Sequence, residues 1–224
     1  MKKTIALLLM ALTLVASLGF VSLTDASAVS ADGGQAQSRA AEIIGDESKR
    51  MIRQVDELLE LSRIQSGQMQ MLREPVDIEE LLRHCQEIFA MRAQEKGLRL
   101  RAEIGAVPLV VGDIDHLEQV FSNLLDNAVK HTPPEGDVSI ALRQSSADFV
   151  EVVVADTGPG IPAEDLPRVF ERFHQAASEK TGSGLGLAIA REIVRAHGGD
   201  IEARSASGTG AEFIVRLPTN LTIL

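Results

Sequence analysis

A helix drawn through Asn123–His131 and the residues before it carries an unusual row of polar side chains. At 100° per residue, one narrow sector of this helix holds His116, Gln119, Asn123, Asn127 and Lys130. The opposite sector is apolar and holds Ile114, Leu117, Phe121, Leu125 and Ala128. Amides are poor helix formers, but their oxygens are good ligands for metal ions. The row is therefore either an ordinary polar outer face or a binding surface, and this segment alone leaves both open.

Two glycine-rich segments follow the helix. Asp156–Ile161 reads Asp-Thr-Gly-Pro-Gly-Ile, and Gly182–Leu187 reads Gly-Ser-Gly-Leu-Gly-Leu at the start of an amphipathic helix. Glycine lets backbone amides approach a ligand closely, and the start of a helix presents free N–H groups and a positive dipole end to an anion. Taken singly, the first segment is explained by a tight turn and the second by a flexible hinge.

The order of five motifs is more specific than any one of them. The asparagine helix is followed by Asp-Thr-Gly-Pro-Gly-Ile-Pro, by Phe170–Phe173, by the Gly-x-Gly-x-Gly run and by Gly208–Phe213. From about Val76 to Pro218 this order resembles the nucleotide-binding domain of bacterial sensor histidine kinases, which belong to an ATPase group with gyrase, MutL and the heat-shock chaperones. The resemblance implies an α+β fold, a two-layer α/β sandwich with a mixed, mostly antiparallel sheet. It also implies ATP and Mg²⁺ as cofactors.

The resemblance implies a role for each matching residue. Asn127 is expected to bind the Mg²⁺ that bridges the triphosphate, with Asn123 facing the same ion or its water. Lys130 is expected to reach phosphate or ribose oxygens as a point charge. Asp156 is expected to accept a hydrogen bond from the adenine amino group. The other expected nucleotide contacts are His131, Gly158, Gly160, Ile161, Phe173, Gly182, Gly184, Leu185, Gly186 and Thr209.

A lid over the nucleotide is expected from about Phe170 to Thr181, with Lys180 or Arg172 contacting the γ-phosphate. In hydrolytic relatives, as the resemblance implies, a glutamate one turn before the metal-binding asparagine is the general base toward water. This chain has Asn123 there, and an amide takes no proton at neutral pH. Transfer of the γ-phosphoryl group to a protein side chain is therefore favoured over hydrolysis.

The resemblance predicts the ATP-dependent catalytic core of a protein histidine kinase in a two-component system, with a response regulator receiver domain as partner. A non-catalytic ATP-binding regulatory module of the same fold is the alternative. The net charge of −10 argues against a nucleic-acid partner. Five histidines and one cysteine give no zinc-binding spacing. Cys85 shares an apolar stripe with Leu81, Leu82, Ile88 and Phe89 and is predicted to be a core residue.

Periodicity and punctuation predict the elements of the catalytic part. The first helix begins after its N-cap Asp77, runs to about Glu95 and is stopped by Gly97, and Asp113 caps the asparagine helix, which ends before Pro133. Further helical segments are predicted at 163–170 and 185–197, and strands at 98–104, 137–143, 149–155, 200–205 and 211–217.

Residues 39–66 predict one long helix within a partial dimerisation and phosphoacceptor segment at 39–75. The spacing of seven from Ile44 through Met51 to Leu58 is typical of a bundle seam, which favours a homodimer, although a helix packed on its own domain is the alternative. Residues 55–63 resemble the second helix of the dimerisation hairpin. The first helix, with its acceptor histidine, should precede residue 39, and nothing there matches. Because His84, His116, His131, His174 and His197 all fall in the catalytic part, autophosphorylation is not expected.

The N-terminus conflicts with an ATP site. Lys2 and Lys3, an uncharged run at 5–23 and an Ala-x-Ala exit make residues 1–28 a signal peptide or a membrane anchor, followed by a linker at 29–38. Either would place the following residues outside the cytoplasm, whereas the resemblance implies a cytoplasmic catalytic domain tethered to the bacterial inner membrane. A misassembled joining of segments, a truncated kinase that keeps its first membrane segment, and an exported non-catalytic relative all remain open. Residues 219–224 are a short tail.

Overall fold

The computed structural model describes the α+β domain and part of the segment before it. The described residues are 44–45, 48, 51–52, 55–59, 61–64, 71–175, 183–206 and 208–219. The chain divides into two compact units, Met1–Arg50 and Met51–Leu224. The leader, the linker, the end of the helix predicted at 39–66, Lys180 and Gly182 lie outside the described residues. Within the described ranges, none of the helices is both long enough and apolar enough to span a membrane.

Five strands form the main sheet of the second unit. The strands are β2 (Arg99–Ile104), β4 (Asp137–Gln144), β5 (Phe149–Asp156), β6 (Asp200–Ser205) and β7 (Ala211–Pro218). Their order is β2-β4-β5-β7-β6; β2 runs parallel to β4 and the other neighbours are antiparallel. The predicted mixed, mostly antiparallel sheet is thus confirmed, and all five strands lie within a residue or two of their predicted bounds.

Three helices pack against the sheet: α1 (Ile78–Glu95), α2 (Ile114–His131) and α3 (Gly186–Ala196). α1 contacts β2, α2 contacts β5, and α3 contacts β6 and β7, with α2 packed between the other two helices. The Asp77 side chain caps α1 by accepting from the N–H groups of Glu79 and Glu80. Gly97 ends α1 at φ +73°, a conformation that costs glycine little. These helices confirm the predicted two-layer sandwich.

The two faces of the sheet differ in chemistry because strand side chains alternate. On the helix-covered face of β5, Val150, Val152 and Val154 are buried in the core. On the other face, the Glu151 carboxylate accepts from Arg143 Nε at 2.8 Å and Arg216 Nε at 2.9 Å. Burial alone would raise the pKa of Glu151, but these two guanidinium groups lower it below its ordinary value.

Two local predictions were incomplete. The helix predicted at 163–170 is wrong, because the structure has only a 3-10 turn at Leu166–Arg168. Pro167 explains the difference, since its ring would clash with the carbonyl four residues earlier in a helix. A second, two-stranded sheet was not predicted: β1 (Glu74–Val76) pairs antiparallel with β3 (Val110–Gly112). Each strand has three residues, too few to show an alternating pattern.

Burial corrects two members of the predicted apolar stripes. Cys85 is buried as predicted, and burial raises the pKa of its thiol to about 11. Ile88 of α1 and Ile114, the first residue of α2, are exposed instead. Ile114 lies at the very start of α2, where fewer elements cover the helix, whereas Ile88 lies mid-helix between the buried residues Cys85 and Phe89, and its exposure has no such explanation.

The described residues of the predicted long helix are helical, at 44–45, 48, 51–52, 55–59 and 61–64. In the second unit, Leu61 is buried in the core of the α+β domain and Ile64 packs against it. The three residues of the predicted seam, Ile44, Met51 and Leu58, are exposed, as are the neighbouring apolar residues Ile52, Val55 and Leu59. The end of this helix, at Leu61 and Ile64, therefore packs on the α+β domain.

Candidate functional site

The polar row of α2 faces the start of α3. Asn123 and Asn127 are half-buried and lie one helical turn apart. Asn123 Nδ2 donates to the carbonyl oxygen of Gly186, the first residue of α3, at 3.1 Å. This bond joins the two segments that the sequence singled out separately, because it brings the amide row beside the Gly-x-Gly-x-Gly loop.

The loop before α3 folds back on the residues around Phe173. The Phe173 N–H donates to the Gly184 carbonyl at 2.9 Å, and both residues have positive φ, +59° and +69°. A Cβ at Gly184 would lie 2.8 Å from the Phe173 carbonyl carbon, so glycine is required for this close approach. Ser183 Oγ accepts from the Leu185 N–H at 3.1 Å. The start of α3, with its free N–H groups and positive dipole end, is thereby set beside the α2 amides.

Asp156 ends β5 with a buried carboxylate. The residue is 8% exposed. Its Oδ1 accepts from the N–H groups of Gly158 at 2.8 Å and Ala211 at 3.3 Å. Burial raises the pKa of Asp156 above its ordinary value, and the two N–H groups and nearby His131 offset only part of that effect. The two N–H groups thus orient the carboxylate, although its burial disfavours the charged form.

Three chain segments close tightly around Asp156. A Cβ at Gly210, where φ is +84°, would overlap the carbonyl oxygen of Asp156. A Cβ at Gly160, where φ is +74°, would overlap the carbonyl oxygen of Ala206. A Cβ at Gly158 would lie 2.9 Å from the carbonyl oxygen of His131 at the end of α2. The Asp-x-Gly-x-Gly loop is therefore enclosed by α2 on one side and by the β6–β7 loop on the other.

The remaining predicted residues lie around this arrangement. The Ile161 N–H donates to Ser205 Oγ at 2.8 Å, and Leu185 is buried in the core. Thr209 is exposed in the β6–β7 loop, where its Oγ1 donates to the Ala206 carbonyl at 2.8 Å. Phe173 is exposed, as are Arg172 and Lys130. Gly182 and Lys180 lie outside the described residues, so their predicted roles stay predictions.

Two residues that the sequence interpretation passed over support the loop. Ser205 Oγ accepts from Ile161 and donates to the Gly210 carbonyl at 2.6 Å, so one hydroxyl joins both loops. Gly210 lies so close to the Asp156 backbone that an added Cβ would overlap its carbonyl oxygen. The Gly208-x-Gly210 spacing was available as a signal for the second residue, but only Thr209 of that motif was named as a contact. No sequence pattern points to Ser205.

A polar groove lies on the α1 side of α2. It has a volume of about 450 Å³ and is lined by Arg92, Glu95, Lys96, Asp126, Val129 and Lys130. Lys96 Nζ donates to the carbonyl oxygens of Val129 at 2.7 Å and Lys130 at 2.6 Å, which satisfies acceptors at the end of α2. Across the ranges that the structure describes, no cluster of three or more His, Cys, Asp or Glu side chains is placed to hold a metal ion.

Comparison with known proteins identifies relatives of this fold. Residues 112–221 match the family model described as histidine kinase-, DNA gyrase B-, and HSP90-like ATPase. The alginate biosynthesis sensor protein KinB of Pseudomonas aeruginosa is 35% identical over 187 residues, which cover 82% of this chain and 31% of KinB. The chain thus spans about a third of the length of that relative.

Two solved structures share the fold at similar identity. Full-length ShkA in complex with AMPPNP superposes with a TM-score of 0.73 at 31% identity, covering 86% of this chain and 40% of ShkA. The mycobacterial sensor histidine kinase MprB superposes with a TM-score of 0.58 at 35% identity, covering 65% of this chain and 97% of the MprB chain. The chain therefore belongs to the histidine kinase-, DNA gyrase B- and HSP90-like ATPase family, as a bacterial histidine kinase ATPase catalytic domain.

Proposed function

We propose that residues 76–218 bind Mg·ATP and transfer its γ-phosphoryl group to a histidine of a two-component system, from which a response regulator receiver domain is phosphorylated. The observation that carries this proposal is the 3.1 Å bond from Asn123 Nδ2 to the Gly186 carbonyl, which sets the amide row beside the glycine loop. The names of the relatives support it, as does ShkA, which was solved with the ATP analogue AMPPNP.

In this proposal Asp156 selects the base. Both backbone hydrogen bonds go to Oδ1, and Oδ2 accepts from the exocyclic amino group of adenine. Guanine presents a carbonyl oxygen at the same position, which would face the carboxylate and repel it. A buried group that loses its partner costs about 1–3 kcal/mol, so adenine should be preferred by about 10-fold to 100-fold. Gly158 and Gly160 let the loop backbone approach the base.

The phosphates lie along α2 toward α3 in this proposal. The first-turn N–H groups of α3 and the Lys130 ammonium attract the anion, and Gly184 and Gly186 allow the backbone to approach it. Asn127 contributes a carboxamide oxygen to Mg²⁺, which fits an ion that takes few protein ligands and several phosphate and water oxygens. When bound, Mg²⁺ neutralises charge on the phosphates.

The amide at position 123 favours transfer over hydrolysis. Its Nδ2 donates to Gly186, which leaves Oδ1 as a neutral acceptor that cannot remove a proton from water at neutral pH. Transfer of the γ-phosphoryl group to a histidine is therefore faster than its hydrolysis by water. All five histidines of the sequence lie between β1 and β6, so the acceptor in this proposal is supplied by another polypeptide or segment.

The exposed seam of the long helix supports a homodimer in the same proposal, and the site of action is the cytoplasmic side of the inner membrane. Ile44, Met51 and Leu58 keep the spacing of seven and are exposed in the single chain. Apolar rows of this kind are covered in most soluble proteins. The stability of such a dimer would depend on protein concentration.

The test combines binding and transfer. Labelled ATP, needed because the chain has no Trp or Tyr, is titrated with Mg²⁺ and then incubated with a separate acceptor hairpin. We expect ATP binding, slow hydrolysis and label on the hairpin histidine. Asn127→Ala should lose both binding and transfer, whereas Asp126→Asn, one residue away and paired with Arg92, should retain them.

Three outcomes count against the proposal in different ways. Tight ATP binding with no labelled histidine would support the non-catalytic binding module instead. Hydrolysis as fast as that of a dedicated ATPase would contradict the role given to Asn123. A chain that binds no ATP at millimolar concentration, or binds GTP equally well, would overturn the proposal altogether.

A further inference from the structure

A buried histidine joins the far ends of α2 and α3. His197, at the C-terminus of α3, is 1% exposed. The backbone N–H of Asp113, the N-cap of α2, donates to His197 Nε2 at 3.0 Å, and His197 Nδ1 lies 2.8 Å from the Ile193 carbonyl oxygen. Because the Asp113 N–H can only donate, Nε2 must present a lone pair. The ring is therefore neutral, with its proton on Nδ1 donated to Ile193.

The same junction holds the chain that enters the domain. Asp113 is 5% exposed, and its Oδ2 accepts from the Leu72 N–H at 3.0 Å. Its Oδ1 accepts from the His116 N–H at 3.2 Å and lies 3.0 Å from His116 Nδ1. A Cβ at Gly112 would lie 2.6 Å from His197 Cδ2, so the ring fills the space that glycine leaves. The His197 ring therefore packs directly against the backbone of Gly112.

Two hydrogen bonds thus join α2 to both ends of α3. One is Asn123 to Gly186 at the start of α3, and the other is Asp113 to His197 at its end. Asp113 to Asn123 is ten residues, about 15 Å of helix, and Gly186 to His197 is eleven residues, about 16 Å. The two spans match, so a shift of one hydrogen bond along the helices must move the other.

We propose that His197, as a neutral imidazole, is a positioning residue that holds α3 in register with α2 and so places the start of α3 beside Asn123 and Asn127. This inference rests on the proposed function, since its effect is read at the nucleotide. It goes further by making ATP affinity depend on a side chain at the opposite end of α3.

The inference carries a pH dependence with a definite sign. The titratable and charged groups near His197 are Asp113, His116 and Arg73. Burial is the main cause that lowers the pKa of His197, and His116 and Arg73 lower it further. The Ile193 carbonyl and Asp113 raise this pKa and offset part of the effect. A histidine whose pKa is lower in the folded state stabilises that state above its ordinary pKa of about 6.5. This contribution is lost as the pH falls from about 6.5 through the lowered value, because a protonated Nε2–H would face the Asp113 N–H.

The test compares His197→Gln with His197→Leu in the full chain. Glutamine places an amide oxygen near the position of Nε2 and keeps an acceptor for Asp113, whereas leucine fills volume and removes it. With labelled ATP and Mg²⁺ at pH 7, we expect leucine to weaken binding about tenfold through the displaced start of α3, and glutamine to restore most of that affinity. Between pH 7.5 and 5, wild-type affinity should fall more steeply than that of the glutamine variant, because only the wild type has an imidazole at position 197 that can be protonated.

A spectroscopic readout separates this inference from the proposed function. Imidazole ¹⁵N spectra should show His197 as the neutral Nδ1–H tautomer at pH 7, with or without nucleotide. An Nε2–H tautomer, or identical pH profiles for wild type and His197→Gln, would overturn the inference even if the leucine variant fails to fold. A folded leucine variant that binds ATP as wild type does would also overturn it. Failure of wild type to bind ATP would instead refute the proposed function and leave the spectrum to decide the tautomer.

Discussion

The two ends of the α2–α3 pair use polar groups in opposite ways. At the closed end, defined by Leu72, Asp113, His116 and His197, the Asp113 and His197 side chains are buried and bonded within the protein. At the amide end, defined by Asn123, Asn127, Lys130 and Gly186, the side chains are half-buried or exposed. Buried polar groups whose hydrogen bonds are made within the protein fix the relative position of the two helices. The partly exposed side chains on the same helices are then held in place for a ligand.

Removing the carboxylate of the closed end should have the largest effect. Asp113→Ala deletes the α2 N-cap, worth about 1 kcal/mol, and removes the acceptor of the part-buried Leu72 N–H, worth about 1 kcal/mol more. We expect the free energy of unfolding in urea to fall by about 2 kcal/mol. Asp113→Asn keeps the acceptor and should lose much less. A loss below about 1 kcal/mol for the alanine variant would mean that the closed end is not the rigid end.

At the end of β5, Asp156→Asn should lower ATP affinity without lowering the free energy of unfolding. Asparagine keeps Oδ1 as acceptor for Gly158 and Ala211 but presents an amino group where adenine needs an acceptor. ATP affinity should fall about 10-fold to 100-fold. Because folding raises the pKa of Asp156, the ionised carboxylate destabilises the folded state relative to the unfolded state at a pH above that pKa.

Removing the Asp156 charge should therefore leave the unfolding free energy at pH 7 unchanged or slightly higher. The measurement is urea unfolding beside a titration with labelled ATP at the same pH. A variant that loses stability and affinity together would show that the carboxylate supports the fold rather than selecting the base.

The same substitution should have opposite signs at the two ends. Gly112→Ala places a Cβ 2.6 Å from the His197 ring and should cost about 1–3 kcal/mol of unfolding free energy. Gly186→Ala places a Cβ 3.6 Å from Asn123, an ordinary contact, and should gain up to about 1 kcal/mol as alanine replaces glycine in a helix. ATP affinity should fall in the second variant because the methyl group blocks the phosphates. Equal stability changes in the two variants would remove the contrast between the ends.

The smallest effect is expected away from both ends. Arg83 pairs with Glu79 at i,i+4 on the exposed face of α1, at 2.9 Å. Exposed pairs of this kind contribute about 0.3–0.5 kcal/mol, less at high salt. Arg83→Ala should lower the unfolding free energy by no more than this and leave ATP affinity unchanged. A change in affinity would mean that α1 also takes part in positioning the site.

Much of the fold was predictable because its signals are local. Asp77 and Asp113 lie immediately before apolar-periodic segments, and both are N-caps in the structure. Alternation along 137–143 and 149–155 predicts strands, since one face of each is covered by helices and the other is not. The short strands at Glu74–Val76 and Val110–Gly112 could not be predicted in this way. Each has only three residues, and it is their hydrogen-bonded pairing with each other that makes them strands.

The site was predictable only as separate motifs. The sequence indicated an amide row, a buried acid before Gly-x-Gly and a glycine loop that opens a helix, but it gave no contact between them. The hydrogen bond of Asn123 to Gly186 joins residues 63 positions apart, and that of Ala211 to Asp156 joins residues 55 apart. His197 carried no signal at all, since a histidine near a helix end has many ordinary explanations.

The sequence by itself determined the elements, their caps and the order of the glycine motifs, because propensity, capping and backbone freedom at glycine depend on a few neighbouring residues. Only the tertiary structure decided which polar groups meet. Burial changes the pKa of Asp156 and His197 in ways that depend on the residues packed around them, and those residues come from distant strands and helices. A side chain's neighbours are set by packing, and packing is a property of the whole chain.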